Sequence, residues 1–436
     1  MPTINRILPK GREIFLIASL VTLLSCGDSS STGSSDSSGN GSCSVYTENA
    51  QVHEAMLARY YWYQEVPQII HYNDFDSASE TLEFLKFDEF DQFSYITEQA
   101  SFNNLFSNGQ FVGYGFGFLI EGDGQVFARF VYNDSPAGRA GLQRGDEILK
   151  INDEPVADII AASAWGEAFG PAEIGISVEL EIRSSPDETE VLNMNKDVVS
   201  INTVLFSDII EQDSLKIGYL VFNSFLSTSL NELETVFQQF SQANVDRLIL
   251  DLRYNGGGRV NVGQALASYI ADTDASRYVQ LRHNDLNQNR DVTYSFEKKA
   301  NGLNLDEVTI ITSESTCSAS EQVISGLSPY INVKTVGTAT CGKPVGMTPE
   351  TFCGLSLLAV NFASFNANDE GEYFDGIAAS CVVEESSYLA FGDDQETLLK
   401  TALDFTTNAN CPALKTAGSR SKPILDAGIG RITGAW

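Results

Sequence analysis

Three short segments hold the residue types that could do covalent chemistry. Asp251-Leu-Arg-Tyr-Asn-Gly-Gly-Gly258 follows an apolar run from Val245 and ends in three glycines. Consecutive glycines leave backbone N–H groups unshielded and able to face a cleft, which is what stabilising an oxyanion requires. Thr316-Cys-Ser-Ala-Ser-Glu321 reads as a strand-to-helix turn with two serines at the start of the helix. A nucleophile there sits near the positive end of the helix, beside the N–H of Ala319. Thr338-Ala-Thr-Cys-Gly-Lys-Pro-Val-Gly346 sets Lys343 between a glycine and a proline. Taken singly, Ser318 is as readily a helix N-cap and Lys343 a turn lysine.

The elements that must position these segments follow from hydrophobic period. From about residue 203 to residue 411 the chain alternates expected strands (216–222, 245–252, 308–312, 334–337) with helices (230–243, 263–270, 321–328), implying a largely parallel α/β layer. The three segments then stand at strand C-termini, where α/β folds collect functional groups. Residues 109–200 change texture to short β-type runs separated by turn residues, and residues 46–106 carry a helical pattern.

Within the β-rich stretch, Asp134-Ser-Pro-Ala-Gly-Arg-Ala-Gly-Leu-Gln-Arg-Gly-Asp-Glu-Ile-Leu-Lys-Ile-Asn152 closely resembles the PDZ domains of bacterial proteases. Such a groove binds a peptide C-terminus by strand addition, with backbone N–H groups of a glycine-bearing loop facing the terminal carboxylate. Gly115, Phe116, Gly117 and Phe118 are the candidate loop, its aromatics lining an apolar pocket; the other reading is a glycine-rich strand with Phe in the core, and for Phe118 alone the two weigh equally.

Together the three segments resemble the carboxyl-terminal processing, or tail-specific, peptidases, a Ser-Lys family with a PDZ domain ahead of the catalytic core. The family's Asp-Leu-Arg-x-Asn-x-Gly-Gly corresponds to 251–258, its Ser-Ala-Ser-Glu to 318–321 and its Gly-Lys to 342–343. The resemblance implies a ClpP/crotonase-like α/β core, Ser318 as nucleophile and Lys343 as general base, with an oxyanion hole from Ala319 N–H and Gly257 N–H. It implies protein or peptide substrates bearing exposed C-termini, and no cofactor or metal. A solvated lysine has a pKa near about 10.4, so burial must depress it before it can take a serine proton. Many members carry Gln four residues after the lysine; here Met347 stands there, which leaves Thr348 as a neighbouring candidate to orient the amine. Met347 also sustains the rival reading, a weak or inactive PDZ adaptor that only binds tails. A crotonase-type thioester enzyme is a more remote rival, since nothing suggests a coenzyme A site. Cys317, beside Ser318, is open to either reading, reactive thiol or disulfide partner. Ser419 and Lys422 also show Ser-x-x-Lys spacing, but in a polar tail without companion motifs.

Composition limits the alternatives. With 27 Lys plus Arg against 58 Asp plus Glu the net charge is −31, too few basic groups for a nucleic-acid footprint. Three histidines and no His-x-x-x-His or Cys-x-x-Cys pair argue against catalytic zinc.

The first 25 residues read as an export signal: Arg6, Lys10 and Arg12, then an apolar run from Ile14 to Leu24, too short to span a bilayer. Leu23-Leu-Ser-Cys26 resembles the bacterial lipobox, implying acylation of Cys26 and a periplasmic protein anchored at the outer membrane. The expected layout is signal 1–25, Ser/Gly-rich tether 26–44, helical segment 45–106, PDZ domain 107–200, peptidase core 201–415 and tail 416–436. The six remaining cysteines suit disulfides in an exported chain, with Cys341–Cys353 and Cys381–Cys411 favoured by proximity in sequence.

Overall fold

The computed structural model describes residues 43–411 apart from 272 and 274–275; the expected signal, Cys26 with most of the tether, and the tail at 416–436 lie outside the described residues. Its centre is a six-stranded sheet in the order Val204–Gln212, Leu215–Phe222, Arg247–Asp251, Glu307–Thr312, Asn332–Gly337, Cys381–Val382. The first pair is antiparallel and the others are parallel. Strand pleating sends successive side chains to opposite faces. Leu220, Phe222, Leu248, Leu250, Val308 and Ile310 accordingly meet the helices Ser229–Ala243, Val260–Ile270 and Ala319–Leu327. Ile217, Tyr219, Val221, Ile249, Ile311 and Val336 meet the helix Thr397–Asn408 on the other face. Burial on both faces is why these strands read as continuous apolar runs. Truncating a fully buried side chain here, Phe237→Ala for example, costs about 3–5 kcal/mol.

The PDZ-type sheet is antiparallel, ordered Phe116–Ile120, Val126–Val131, Glu147–Ile151, Ser177–Ser185, Glu188–Asn195. The chain enters and leaves it through a two-stranded ribbon, Gln110–Gly113 paired with Asp197–Ser200, so both connections are hydrogen-bonded to each other. Phe116–Ile120 is an edge strand, with Val126–Val131 as its neighbour in the sheet.

The N-terminal helices Val45–Arg59 and Ala78–Leu85 bury Val52, Met56, Leu82 and Leu85 against Val345, Leu357 and Val360. The stretch read as a helical segment also supplies a strand, Tyr95–Glu98, which pairs with Leu355–Leu358. The mixed α/β core, the PDZ domain and the helical N-terminal segment are otherwise as expected. No helix among the described residues is long and apolar enough to cross a membrane.

Disulfides join Cys43 to Cys353, Cys317 to Cys341 and Cys381 to Cys411. The expected Cys341–Cys353 pairing is therefore wrong. Cys353 sits in the turn between Glu350–Phe352 and Leu355–Leu358 and ties it to the start of the first helix, a contact 310 residues away in sequence.

Candidate active site

The serine segment folds into a tight elbow. Ser318 is the N-cap of the Ala319–Leu327 helix with φ +57° and ψ −113°, outside the regions a side chain ordinarily allows. Such strain costs about 1–3 kcal/mol and persists only where neighbours over-determine it. Those neighbours are identifiable. Cys317 N–H donates to Asn255 O at 3.1 Å and Ser320 Oγ donates to the same carbonyl at 2.9 Å. Ser318 N–H donates to Glu321 Oε2 at 2.8 Å, as in a capping box.

Glu321 also reaches the lysine loop. Its carboxylate, fully buried, accepts Thr340 Oγ1 at 2.6 Å, Gly342 N–H at 2.8 Å and Lys343 N–H at 2.9 Å. Burial raises the Glu321 pKa, while the bonds from Thr340, Lys343, Gly342 and Ser318 oppose that rise. One carboxylate thus joins the backbones of the two candidate catalytic residues. The Cys317–Cys341 disulfide joins the same two segments covalently, and Cys341 N–H donates to Thr316 O at 3.0 Å. Cys317, Cys341 and Glu321 place potential metal-ligand atoms within 4.8 Å of one another, but the disulfide removes both thiols from that role.

The Lys343 amine is packed into the interior, 5.1 Å from the centre of the Phe93 ring. Desolvation lowers its pKa to about 8, against the charges of Asp91 and, less strongly, Glu321, which raise it. Asp91 is held by Tyr60 Oη at 2.7 Å, Ser94 Oγ at 2.6 Å and the N–H groups of Phe93 and Ser94. Met347 packs into the apolar cluster under the N-terminal helices. Thr348 is exposed, with its backbone bonded to Asn361. Asp91 and Phe93 sit far from any catalytic motif, and the sequence held no signal for them. Glu321 was within a motif but had no assigned role.

The glycine loop lies against the elbow. At Gly257, φ is +101°, and a Cβ there would stand 2.7 Å from Cys317 O, 2.8 Å from Ser318 Cβ and 2.9 Å from Ala319 N. The expected Gly257 oxyanion donor is a different matter. Its N–H is donated to Asn255 Oδ1 at 2.9 Å, because the Asn side chain bonds its own backbone two residues on. Ala319 N–H, in the first helical turn, has no intrahelical acceptor.

Beneath the loop, Arg253 is almost fully buried, pairing with Asp251 at 2.7 Å and with Glu385 and Glu396, each at 2.9 Å. Glu385 also binds Arg144, in the turn before Glu147–Ile151 of the PDZ domain, at 2.7 Å, and Arg144 donates to Tyr254 Oη at 2.8 Å. The Asp-Leu-Arg motif is therefore a buried ion cluster that supports the loop and reaches the PDZ domain.

In that domain, Phe116 and Phe118 are buried and pack with Phe169 and Trp165. Gly115 has φ +87°, and a Cβ would stand 2.1 Å from Ser135 Cβ, so only glycine fits. Both aromatics fill the core, the second of the two readings; Gly115 O accepts Tyr132 N–H at 2.9 Å and Ser135 Oγ at 3.2 Å, and Phe116 to Phe118 lie in the edge strand of the sheet.

These features, an α/β core with a strained serine facing a lysine loop and an inserted PDZ domain, define the peptidase class to which comparison points. Residues 216–383 match the model for peptidase family S41, 47–95 the peptidase S41 N-terminal domain, and 130–174 a PDZ domain. A carboxyl-terminal-processing protease of Picosynechococcus is 25% identical over 281 residues, 63% of this chain and 64% of that protein. A CtpA-like serine protease of Staphylococcus haemolyticus is 26% identical over 265 residues, 60% of this chain and 50% of the relative. The matches thus span between half and just under two thirds of these relatives. An S41 protease of Bacteroides fragilis has a similar structure, with TM-score 0.69, 25% identity and coverage of 83% of this chain and 97% of that one. The photosystem II D1 C-terminal processing protease shares the fold at TM-score 0.51 and 18% identity, over 78% of this chain and 94% of its own. These findings support a serine-type peptidase.

Proposed function

We propose that this protein is a serine endopeptidase that cleaves proteins recognised by their C-terminal tails, with Ser318 as nucleophile and Lys343 as general base. One observation carries the reading: Glu321 binds the backbone N–H groups of both residues, while burial lowers the Lys343 pKa to about 8. The neutral amine takes the Ser318 proton as Oγ attacks the scissile carbonyl, and Ala319 N–H stabilises the oxyanion. The lysine ammonium then protonates the leaving amine, and water hydrolyses the acyl-enzyme with the amine again as base. Gly257 contributes a second donor only if a substrate displaces Asn255. The tail pairs with the edge strand Phe116–Ile120 by strand addition.

Ser318→Ala and Lys343→Ala each abolish hydrolysis of an unfolded protein with an apolar tail, and a serine-directed phosphonate labels Ser318 in the unmodified protein. Full activity in either variant overturns the assignment. Met347, a thioether in the apolar cluster where many relatives carry Gln, favours the second reading, a PDZ adaptor; tail binding without phosphonate labelling would establish it. Acylation of Cys26, with anchoring to the periplasmic side of the outer membrane, is part of the proposal. Cys26→Ser should release the protein from the membrane fraction.

A further inference from the structure

The Cys317–Cys341 disulfide lies where it can act on the reaction. Cys317 directly precedes Ser318, and Cys341 is two residues before Lys343. The other two disulfides secure the ends of the described chain, at Cys43 and Cys411. The lysine segment has no regular secondary structure between Gly337 and Val345, so its position depends on a few specific ties. Those to the serine segment are the Glu321 bonds, the Cys341 N–H bond to Thr316 O and the disulfide, while Thr338, Thr340 and Pro344 are bonded to Thr312, Ile377 and Ser364. On the other side the same bond restrains a residue next to the strained Ser318. Cys317, Ser318, Cys341 and Lys343 are all half-buried, so the disulfide is not sealed in the core and a small reductant can approach it.

We infer that Cys317 and Cys341 are positioning residues for the dyad, and that their disulfide makes turnover redox-dependent. A dithiol reductant attacks one sulfur to give a mixed disulfide, and its second thiol resolves this. Two electrons and two protons pass to the protein, leaving two cysteine thiols and a cyclic oxidised reductant. The new Cys341 S–H stands 3.6 Å from Glu321 Oε2, the oxygen that holds Ser318 N–H and Lys343 N–H, and competes with them as a donor. The lysine loop then loses its covalent tie to the serine segment and keeps only hydrogen bonds, so Lys343 can shift relative to Ser318. A displacement of about 1 Å in a catalytic group costs on the order of 10²-fold in rate.

The inference rests on the peptidase reading, and the experiment separates the two. The full chain is assayed oxidised, after dithiothreitol with removal of the reagent, and after reoxidation, with peptide mass mapping of the thiols at each stage. The expected result is a fall in kcat on the order of 10²-fold on opening Cys317–Cys341, with KM unchanged and recovery on reoxidation. The pH midpoint of kcat should also rise, because an amine that shifts toward solvent loses the desolvation that burial imposes while Asp91 and Glu321 still favour its charge. Cys317→Ser/Cys341→Ser should reproduce the reduced state, whereas Cys381→Ser/Cys411→Ser should keep kcat. If the first double variant does not fold, reversible reduction of the unaltered chain decides. Unchanged kcat and pH midpoint with both thiols free overturns the inference, as does a bond that dithiothreitol leaves closed in the folded protein. An oxidised protein that neither hydrolyses substrate nor takes the phosphonate sinks the peptidase reading instead.

Discussion

Ser318 and Lys343 donate their backbone N–H groups to the same atom, Glu321 Oε2, at 2.8 and 2.9 Å. The other oxygen, Oε1, takes Thr340 Oγ1 and Gly342 N–H, so both oxygens meet donors only. The carboxylate joins the backbones of the proposed nucleophile and base without bonding to the Ser318 hydroxyl or the Lys343 amine.

Glu321→Gln tests that junction. An amide turns one oxygen into a donor facing two donors, and a buried unsatisfied donor costs about 1–3 kcal/mol. The expected outcome is a lower melting temperature together with a kcat loss on the order of 10²-fold, because both backbones shift. Unchanged kcat in a destabilised variant would reduce Glu321 to a purely structural role.

The pH dependence follows from Lys343. Only the neutral amine accepts the serine proton, so activity is lost as pH falls through the lysine pKa, about 8, and reaches a plateau above it. Asp91 raises that pKa, so Asp91→Asn should move the midpoint of kcat to lower pH. A pH–rate profile on both proteins checks the sign; a midpoint that rises, or a flat profile across this range, contradicts the assignment.

Gly257→Ala should be inactive. Its Cβ would stand within 2.9 Å of Cys317 O, Ser318 Cβ and Ala319 N, and φ is +101°. The left-handed conformation costs about 1–3 kcal/mol, and the clash displaces the elbow. Phosphonate labelling of Ser318 should fall with hydrolysis, while peptide binding to the PDZ domain is unaffected.

Arg144 tests communication between the PDZ domain and the core. It binds Glu385 and Tyr254, and Tyr254 is next to Asn255, whose side chain holds Gly257 N–H. Arg144→Met leaves Glu385 short of one cationic partner while Arg253 remains. The expected outcome is altered kcat, with peptide affinity of the PDZ domain retained in calorimetry. Identical kinetics would show that this contact only holds the two parts together.

Much of this was legible in the chain. The parallel strands at 216–222 and 308–312 and the helix at 230–243 were marked by apolar runs and helical period, both local signals. The Gln110–Gly113 ribbon with Asp197–Ser200 and the pairing of Tyr95–Glu98 with Leu355–Leu358 were not, since each joins distant short segments whose own patterns are weak. Phe116 and Phe118 show the same limit: alternation marks a strand but does not say which sheet face is buried deepest.

The sequence by itself determined the residue types: a serine at a helix start, a glycine run after a buried strand, and a lysine in a Gly-Lys-Pro turn. Those depend on local backbone requirements, which a handful of neighbouring residues express. Only the tertiary structure decided what surrounds them. The disulfide partner of Cys317, and the burial that lowers the Lys343 pKa with its opposition by Asp91, come from how the segments pack. Electrostatics and covalent pairing depend on distances between atoms remote in sequence, and no local pattern records those.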